Sequence, residues 1–240
     1  MTTRFTDLAA PLPPELAAAV RELGATLALV RLPPLAEQLE KGDLEPAGWL
    51  TGPEMARLAG YRYPKRRLEW LGGRLAAKLA LLALETTTAS PLHWRIDSAG
   101  DGRPLSFLLD QDGERPGPEI SISHSHGLAA ALVARRPCGL DLQKTTGAVG
   151  RVRERFCTPD EAEALAAAGL TGDDLTLLWA AKEALRKGLG GTPLTGFLAM
   201  TLTGAEGAGG RQLTLAVGKG KEYKVLTGWL QEHAIAISII

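Results

Sequence analysis

Two cysteines, Cys138 and Cys157, are all that the 240 residues carry. They cannot build a disulfide framework, and they lack metal-ligand spacing. A reducing cytoplasm is the compartment such a chain suits. Charge of one sign is missing as well: Lys plus Arg and Asp plus Glu number 27 each. No global field therefore draws in nucleic acid or a membrane, and any anionic ligand must be met by a local cluster. No run reaches the roughly 18 apolar residues of a membrane span. The opening stretch MTTRFTDLAAPLPPELAAAV has no apolar core ahead of a cleavage site, so no secretory leader is expected. Fixed-period repeats and long low-complexity tracts are absent too.

What is present is an ordinary globular balance, 45% hydrophobic and 22% charged, enough for a sizeable core in one large domain or two lobes. A short helix is expected over Glu15–Leu23, an apolar run over Ala25–Leu32 closed by Pro33-Pro34, and a helix then loop over Leu35–Gly48. One or two helical turns follow at Pro53–Ala59 with Thr51 as N-cap. Leu68, Leu71, Leu75, Leu79 and Leu82 recur at helical spacing and predict a long helix over Pro64–Leu84. Arg67, Arg74 and Lys78 form a second stripe on it, which is equally a solvated face. Gly72-Gly73 inside that helix implies that a backbone or ligand comes close.

Strands are expected at Leu92–Ile96, Ile120–His124, Leu128–Val133 and Leu140–Leu142, with turns at 98–104, 110–118 and 135–139. Thr158 and Glu161 have capping-box spacing, with Pro159 at the first helical position of a helix ending near Gly169. Thr171 to Gly191 reads as one amphipathic helix, its apolar stripe Leu175, Leu178, Trp179 and Leu185, with Gly188 as the residue that ends it. Strands are expected again at Phe197–Leu202, Gln212–Val217, Tyr223–Leu230 and Ala234–Ile240. Each half then holds one long helix and several strands, an α+β pattern with a boundary near Pro137–Gly139.

Four pieces carry chemistry. Gly102-Arg103-Pro104 puts a cation on a rigid turn. Ser121-Ile122-Ser123-His124 puts hydroxyls and an imidazole at a strand end. In Gly139-Leu140-Asp141-Leu142-Gln143, Asp141 and Gln143 fall on one side of a strand. Glu183 and Lys187, four apart, share a helix face. Each alone also reads as an ordinary loop, strand rim or surface pair. Together, Asp141 and Glu183 supply oxygen ligands for a hard cation such as Mg²⁺, and Arg103, His124 and Lys187 can neutralise a diphosphate. The sum suggests metal-assisted phosphoryl transfer, in which charge neutralisation and in-line alignment matter more than a covalent nucleophile.

Taken in order, GRP at 102–104, ISISHSHG at 120–127, GLDLQ at 139–143, FCTPDE at 156–161 and LWAAKEALRK at 178–187 resemble the signature of the 4′-phosphopantetheinyl transferases, in their two-lobed, surfactin-type group. The stretch PEMARLAGYRYPKRRLEWLGGRLAAK at 53–78 is similar to that family's first helical region. The resemblance implies two similar α+β lobes, 1–138 and 139–240, related by a pseudo-twofold, each a long helix packed on a small mostly antiparallel sheet. It implies coenzyme A bound in the cleft between them and an apo acyl or peptidyl carrier protein as partner. A serine of that carrier would receive the phosphopantetheine arm, and adenosine 3′,5′-bisphosphate would leave. By the same resemblance Asp141 and Glu183, with Gln143 beside them, would hold Mg²⁺ or Mn²⁺. Glu183 would take the serine proton, and Lys187 would stabilise the transferring phosphate. Gly102, Arg103, Pro104, Ser121, Ser123 and His124 would meet the nucleotide end of coenzyme A, with Arg57 or Arg74 at its 3′-phosphate. A monomer is the expected state.

Gln143 departs from the pattern, standing where many members have glutamate. Its amide can ligate through oxygen but brings no charge. The rival readings are a non-catalytic coenzyme A or carrier-protein binding module of the same fold and an unrelated Mg²⁺ phosphohydrolase. The first would lose a metal ligand or Lys187, and the second would not need the Ser-His segment.

Overall fold

The computed structural model describes residues 9–86, 90–191, 194–207, 211–218 and 220–240; the first eight residues, on which the leader reading partly rests, lie outside the described residues. The chain divides into two units, Met1–Arg136 and Pro137–Ile240.

The first unit runs α1 (Pro14–Glu22), β1 (Ala25–Arg31), α2 (Leu32–Lys41), α3 (Gly52–Ala59), α4 (Pro64–Leu84), β2 (Trp94–Ser98), β3 (Pro104–Asp110), β4 (Gly113–Pro116), β5 (Glu119–Ser125) and β6 (Leu128–Ala134). It holds two antiparallel sheets, in the orders β1-β6-β5 and β2-β3-β4. Helix α4 lies on the first sheet. Leu71, Leu75 and Leu81 form one core with Ala129, Ala131 and Val133 of β6. The glycine pair permits this contact. A Cβ on Gly72 would collide with the Leu32 side chain, and one on Gly73 would stand 2.8 Å from Ile122 Cγ2. The close neighbours implied by Gly72-Gly73 are therefore side chains of α2 and β5.

The second unit runs β7 (Cys138–Lys144), α5 (Gly147–Arg151), α6 (Pro159–Ala167), α7 (Leu175–Leu189), β8 (Met200–Glu206), β9 (Gln212–Val217), β10 (Lys221–Leu230) and β11 (His233–Ile239). Its antiparallel sheet has the order β7-β11-β10-β9-β8. Helix α7 packs on this sheet through Leu177, Leu178, Ala181 and Leu185. The chain is thus α+β, with helices on antiparallel sheets.

Several expectations need correction. Residues 113–116 pair with β3 as a strand, although DQDGERPGP has the composition of a loop. Cys138 and Gly139 belong to β7 and not to a turn. Helix α2 begins at Leu32 with its prolines in the first turn, where a missing N–H costs nothing. Helix α7 runs past Gly188 to Leu189, and Gly190, with φ 61°, ends it. A short 3₁₀ turn at Gly172–Asp174 precedes it. The basic stripe of α4 is not one solvated face. Arg67 is exposed, Arg74 is buried, and Lys78 is 0% exposed.

Lys78 belongs to a node that occurs once in each unit. Glu54 closes a capping box with Thr51 at the start of α3. Its Oε2 accepts from Lys78 Nζ at 2.9 Å, and its Oε1 accepts from Ile96 N–H on β2 at 3.2 Å. Glu161 closes a box with Thr158 at the start of α6. Its Oε1 lies 2.7 Å from Lys182 Nζ and accepts from Leu202 N–H on β8 at 2.8 Å. One carboxylate thus ties a helix start, the long helix and a strand together. Burial lowers the pKa of both ammonium groups, while the glutamate beside each raises it. Each buried charge is tolerated because it is paired and its remaining protons find carbonyls: Lys78 donates to the Pro91 and Trp94 carbonyls, and Lys182 donates to the Phe156 carbonyl at 2.6 Å.

Candidate functional site

In the second unit the site begins with two glycines. A Cβ on Gly139 would stand 2.6 Å from Gly188 N, and closer still to the Ala184 carbonyl oxygen. Only glycine at this position of β7 lets α7 settle so near. That approach brings the last turn of α7 over the strand. Lys187 Nζ then donates to Asp141 Oδ1 at 2.7 Å and to the Leu140 carbonyl at 2.9 Å. Asp141 is 6% exposed and shares its face of β7 with Gly139 and Gln143 by strand alternation. Leu140 and Leu142 take the opposite face. The Gln143 amide nitrogen donates to the Lys144 carbonyl at 3.0 Å.

Glu183 sits one turn before Lys187 on α7 and is half-buried. Arg186 Nη2 donates to both of its carboxylate oxygens, at 3.2 and 3.0 Å. Burial pushes the Glu183 carboxyl above the usual carboxylate range; Arg186 and Lys187 pull it down, and Asp141 pushes it up. Among the described residues no group of three or more His, Cys, Asp or Glu side chains forms a metal cluster. The carboxylates of Asp141 and Glu183 are oxygen donors, and Gln143 follows Asp141 on the same face of β7. That set suits a hard divalent cation whose shell is completed by substrate phosphates and water.

The first unit holds a separate cavity of about 270 Å³, lined by residues that include Arg57, Arg66, Arg74, Trp70, Gly102, Pro104 and His124. Arg74 is 5% exposed and stacks its guanidinium over Trp70, 4.8 Å from the ring centre. Burial pushes its pKa down to about 10, against the pull of Glu54. Its Nε is buried and donates no hydrogen bond among the described residues. Trp70 and Tyr61 lie with ring centres 5.7 Å apart. A buried guanidinium whose Nε has no partner among the described residues, beside two aromatic rings, is equipped to take an anionic, planar ligand.

The structure brings Arg57, Arg74, Gly102, Pro104 and His124 to this cavity. Ser121 and Ser123 are not among the residues that line it. On β5 they alternate with Ile122 and His124, are buried, and face away from the cavity their neighbours line. Arg103 is not in the lining either. Its side chain is 47% exposed and lies 3.7 Å from Asp101, while the turn it belongs to, with Gly102 at φ 86°, does reach the cavity. His124 Nδ1 is 3.9 Å from Glu69.

Three contributors went unnoticed in the sequence. Lys182, inside the LWAAKEALRK segment, is a buried structural cation. Arg186 bonds Glu183, a relation readable from i,i+3 spacing. Trp70, one turn before Arg74, is the ring beneath the guanidinium.

No curated protein matches the chain. Solved structures do. A holo-(acyl-carrier-protein) synthase from Bacillus anthracis, in complex with CoA (3′,5′-ADP), is 24% identical over 45% of this chain and 91% of that one, with a TM-score of 0.38. Holo-ACP-synthase from Plasmodium yoelii is 18% identical over 45% of this chain and 90% of its own, with a TM-score of 0.40. The Helicobacter pylori holo-[acyl-carrier-protein] synthase in complex with coenzyme A is 18% identical over 46% and 97%, with a TM-score of 0.37. The family model of the 4′-phosphopantetheinyl transferase superfamily matches residues 137–238, the stretch that carries Asp141, Glu183 and Lys187. Through these residues the second unit is similar to the 4′-phosphopantetheinyl transferase superfamily.

Proposed function

We propose that the protein transfers the 4′-phosphopantetheine arm of coenzyme A to a serine of an apo carrier protein and releases adenosine 3′,5′-bisphosphate. One observation carries this reading: Lys187, one helical turn from Glu183 on α7, donates to Asp141 of β7 at 2.7 Å, which brings the helix face bearing Glu183 to the strand bearing Asp141.

In this reading Asp141 and Glu183 hold a divalent cation, Mg²⁺ or Mn²⁺, with the Gln143 amide oxygen as a third donor. When bound, the ion supplies Lewis-acid neutralisation of the diphosphate. The chain's own groups do the rest. Glu183, raised above the usual carboxylate range by burial, accepts the serine proton, a task that a raised pKa favours. The serine oxygen forms a bond to the phosphorus of the arm, and the bond from that phosphorus to the bridging oxygen breaks. Lys187 donates to the phosphate oxygens as charge builds. The first unit's cavity, taken by itself, is the proposed nucleotide pocket, its Arg57, Arg74 and His124 facing an anionic group and Arg74 offering its buried Nε to phosphate. No helix among the described residues is long and apolar enough to cross a membrane.

Incubation with coenzyme A, Mg²⁺ and an apo carrier protein tests the reading. The expected result is a mass gain of one phosphopantetheine arm on the carrier, lost in Asp141→Asn and Glu183→Gln. Binding of coenzyme A without transfer would assign a non-catalytic module instead, and phosphate release without a carrier would assign a hydrolase.

A further inference from the structure

We propose that Arg186 and Lys187 act as internal counter-ions that keep the Asp141–Glu183 pair closed to a lone divalent cation, so that the ion enters together with a diphosphate. The inference rests on the function proposed above and adds an order of binding to it.

Each of the two carboxylates already has a cation. Lys187 Nζ is 2.7 Å from Asp141, and Arg186 Nη2 is 3.0 Å from Glu183. The charges cancel, two negative against two positive. A lone divalent cation entering here gains the carboxylates but meets a guanidinium and an ammonium at close range. A cation that arrives with a diphosphate brings its own negative charge, and Arg186 and Lys187 then have phosphate oxygens to turn to. The two clamps differ in how readily they open. Lys187 is also held by the Leu140 carbonyl. Arg186 uses a single nitrogen for both contacts with Glu183, whereas the strongest arginine–carboxylate pairs use two in parallel. Its Nε is buried and donates no hydrogen bond among the described residues. Behind it, the Phe197 ring lies 4.5 Å from the guanidinium carbon and keeps the group beside Glu183 once it lets go. Arg186 is therefore a positioning residue and the releasable one of the pair.

Free Mn²⁺, followed by its electron paramagnetic resonance signal, gives a readout independent of turnover. The full chain is titrated with Mn²⁺ alone, with coenzyme A, and with adenosine 3′,5′-bisphosphate, which lacks the diphosphate. Wild type should bind Mn²⁺ about tenfold more tightly with coenzyme A than without, a typical coupling between two ligands, and the bisphosphate should give no such gain. Arg186→Gln should bind Mn²⁺ alone roughly fivefold more tightly than wild type, the factor a partly exposed ion pair is worth. Arg186→Lys, which keeps the charge, should behave as wild type, and Asp141→Asn should lose binding in every series. Unchanged Mn²⁺ affinity in Arg186→Gln, with its melting temperature intact, overturns the inference while carrier modification by wild type still stands. Binding indifferent to Asp141→Asn overturns the inference and the metal site together.

Discussion

Replacing Gly139 by alanine tests the geometry on which the second unit's site depends. The added methyl carbon would stand 2.6 Å from Gly188 N and 2.8 Å from the Ala184 carbonyl carbon, with the Ala184 oxygen nearer still. These are backbone atoms in the last turns of α7, so no side chain can swing aside. The helix must retreat from β7. Overpacking of this kind costs about 1–3 kcal/mol. The retreat also strains the hydrogen bond from Ser238 Oγ to the Ala184 carbonyl, now 2.9 Å, worth about 1 kcal/mol. A loss of about 2–4 kcal/mol lowers the melting temperature of a unit of roughly 100 residues by about 8–30 °C. Lys187 would leave Asp141 and the Leu140 carbonyl at the same time, so transfer activity measured below the melting point should fall with stability. Differential scanning calorimetry reads the first effect and the carrier mass assay the second. Gly150→Ala in α5, where a Cβ meets nothing within 4 Å, is the matched control and should melt no lower than wild type. If Gly139→Ala melts with wild type, the close approach of α7 to β7 is wrong, and so is the reason Lys187 reaches Asp141.

Four further outcomes follow from the same structure. The pKa of Lys78 is lowered by burial against the opposing pull of Glu54; a depressed folded value means its contribution to stability is complete above pH 10.5 and is lost as the pH falls through that value. Glu54→Gln removes the opposing charge, so its drop in melting temperature should be larger at pH 7 than at pH 10, and equal drops would refute the pairing. Glu161→Gln should cost about 3–5 kcal/mol by leaving Lys182 buried and uncompensated, while Glu161→Gln with Lys182→Met should recover much of the loss in denaturant melts. Arg74→Ala should weaken coenzyme A binding about 10- to 100-fold by calorimetry, the worth of a charged hydrogen bond or two, while Ser121→Ala should leave it unchanged because that side chain faces away from the cavity. Gln143→Glu adds a charge beside Asp141 and should lower the Mg²⁺ concentration giving half-maximal transfer; superimposable Mg²⁺ curves would remove Gln143 from the site.

The readable parts of this chain were those written in local pattern. Helix α4 was delimited by leucine spacing and Pro64, and the start of α6 by Thr158 and Glu161. The alternation of β7 put Asp141 and Gln143 on one side. The same alternation, applied to β5, separates Ser121 and Ser123 from His124, so that difference is legible in the sequence. The burial of Lys78 and Lys182 was not. Periodicity treats a charge as facing outward, and the partners that make burial tolerable lie on other elements, Glu54 being 24 residues from Lys78. Strand β4 was hidden because Asp, Gly and Pro signal turns, while its pairing is fixed by β3, a non-local contact. Glu183 has two cations within a turn, Arg186 at three residues and Lys187 at four, and spacing alone does not say which of them bonds it.

The paired Glu–Lys nodes have a last consequence. If Lys78 and Lys182 mark equivalent places on the two long helices, the residues one and five positions further along are Leu79 and Ala83 in one half and Glu183 and Lys187 in the other. The halves repeat a frame, but hydrocarbon occupies in the first what ionic groups occupy in the second. Only the second half then carries ionisable groups at this address, and the first half has none there. Leu79 carries no group that could take the place of Glu183, so a second turnover centre is not expected at that address.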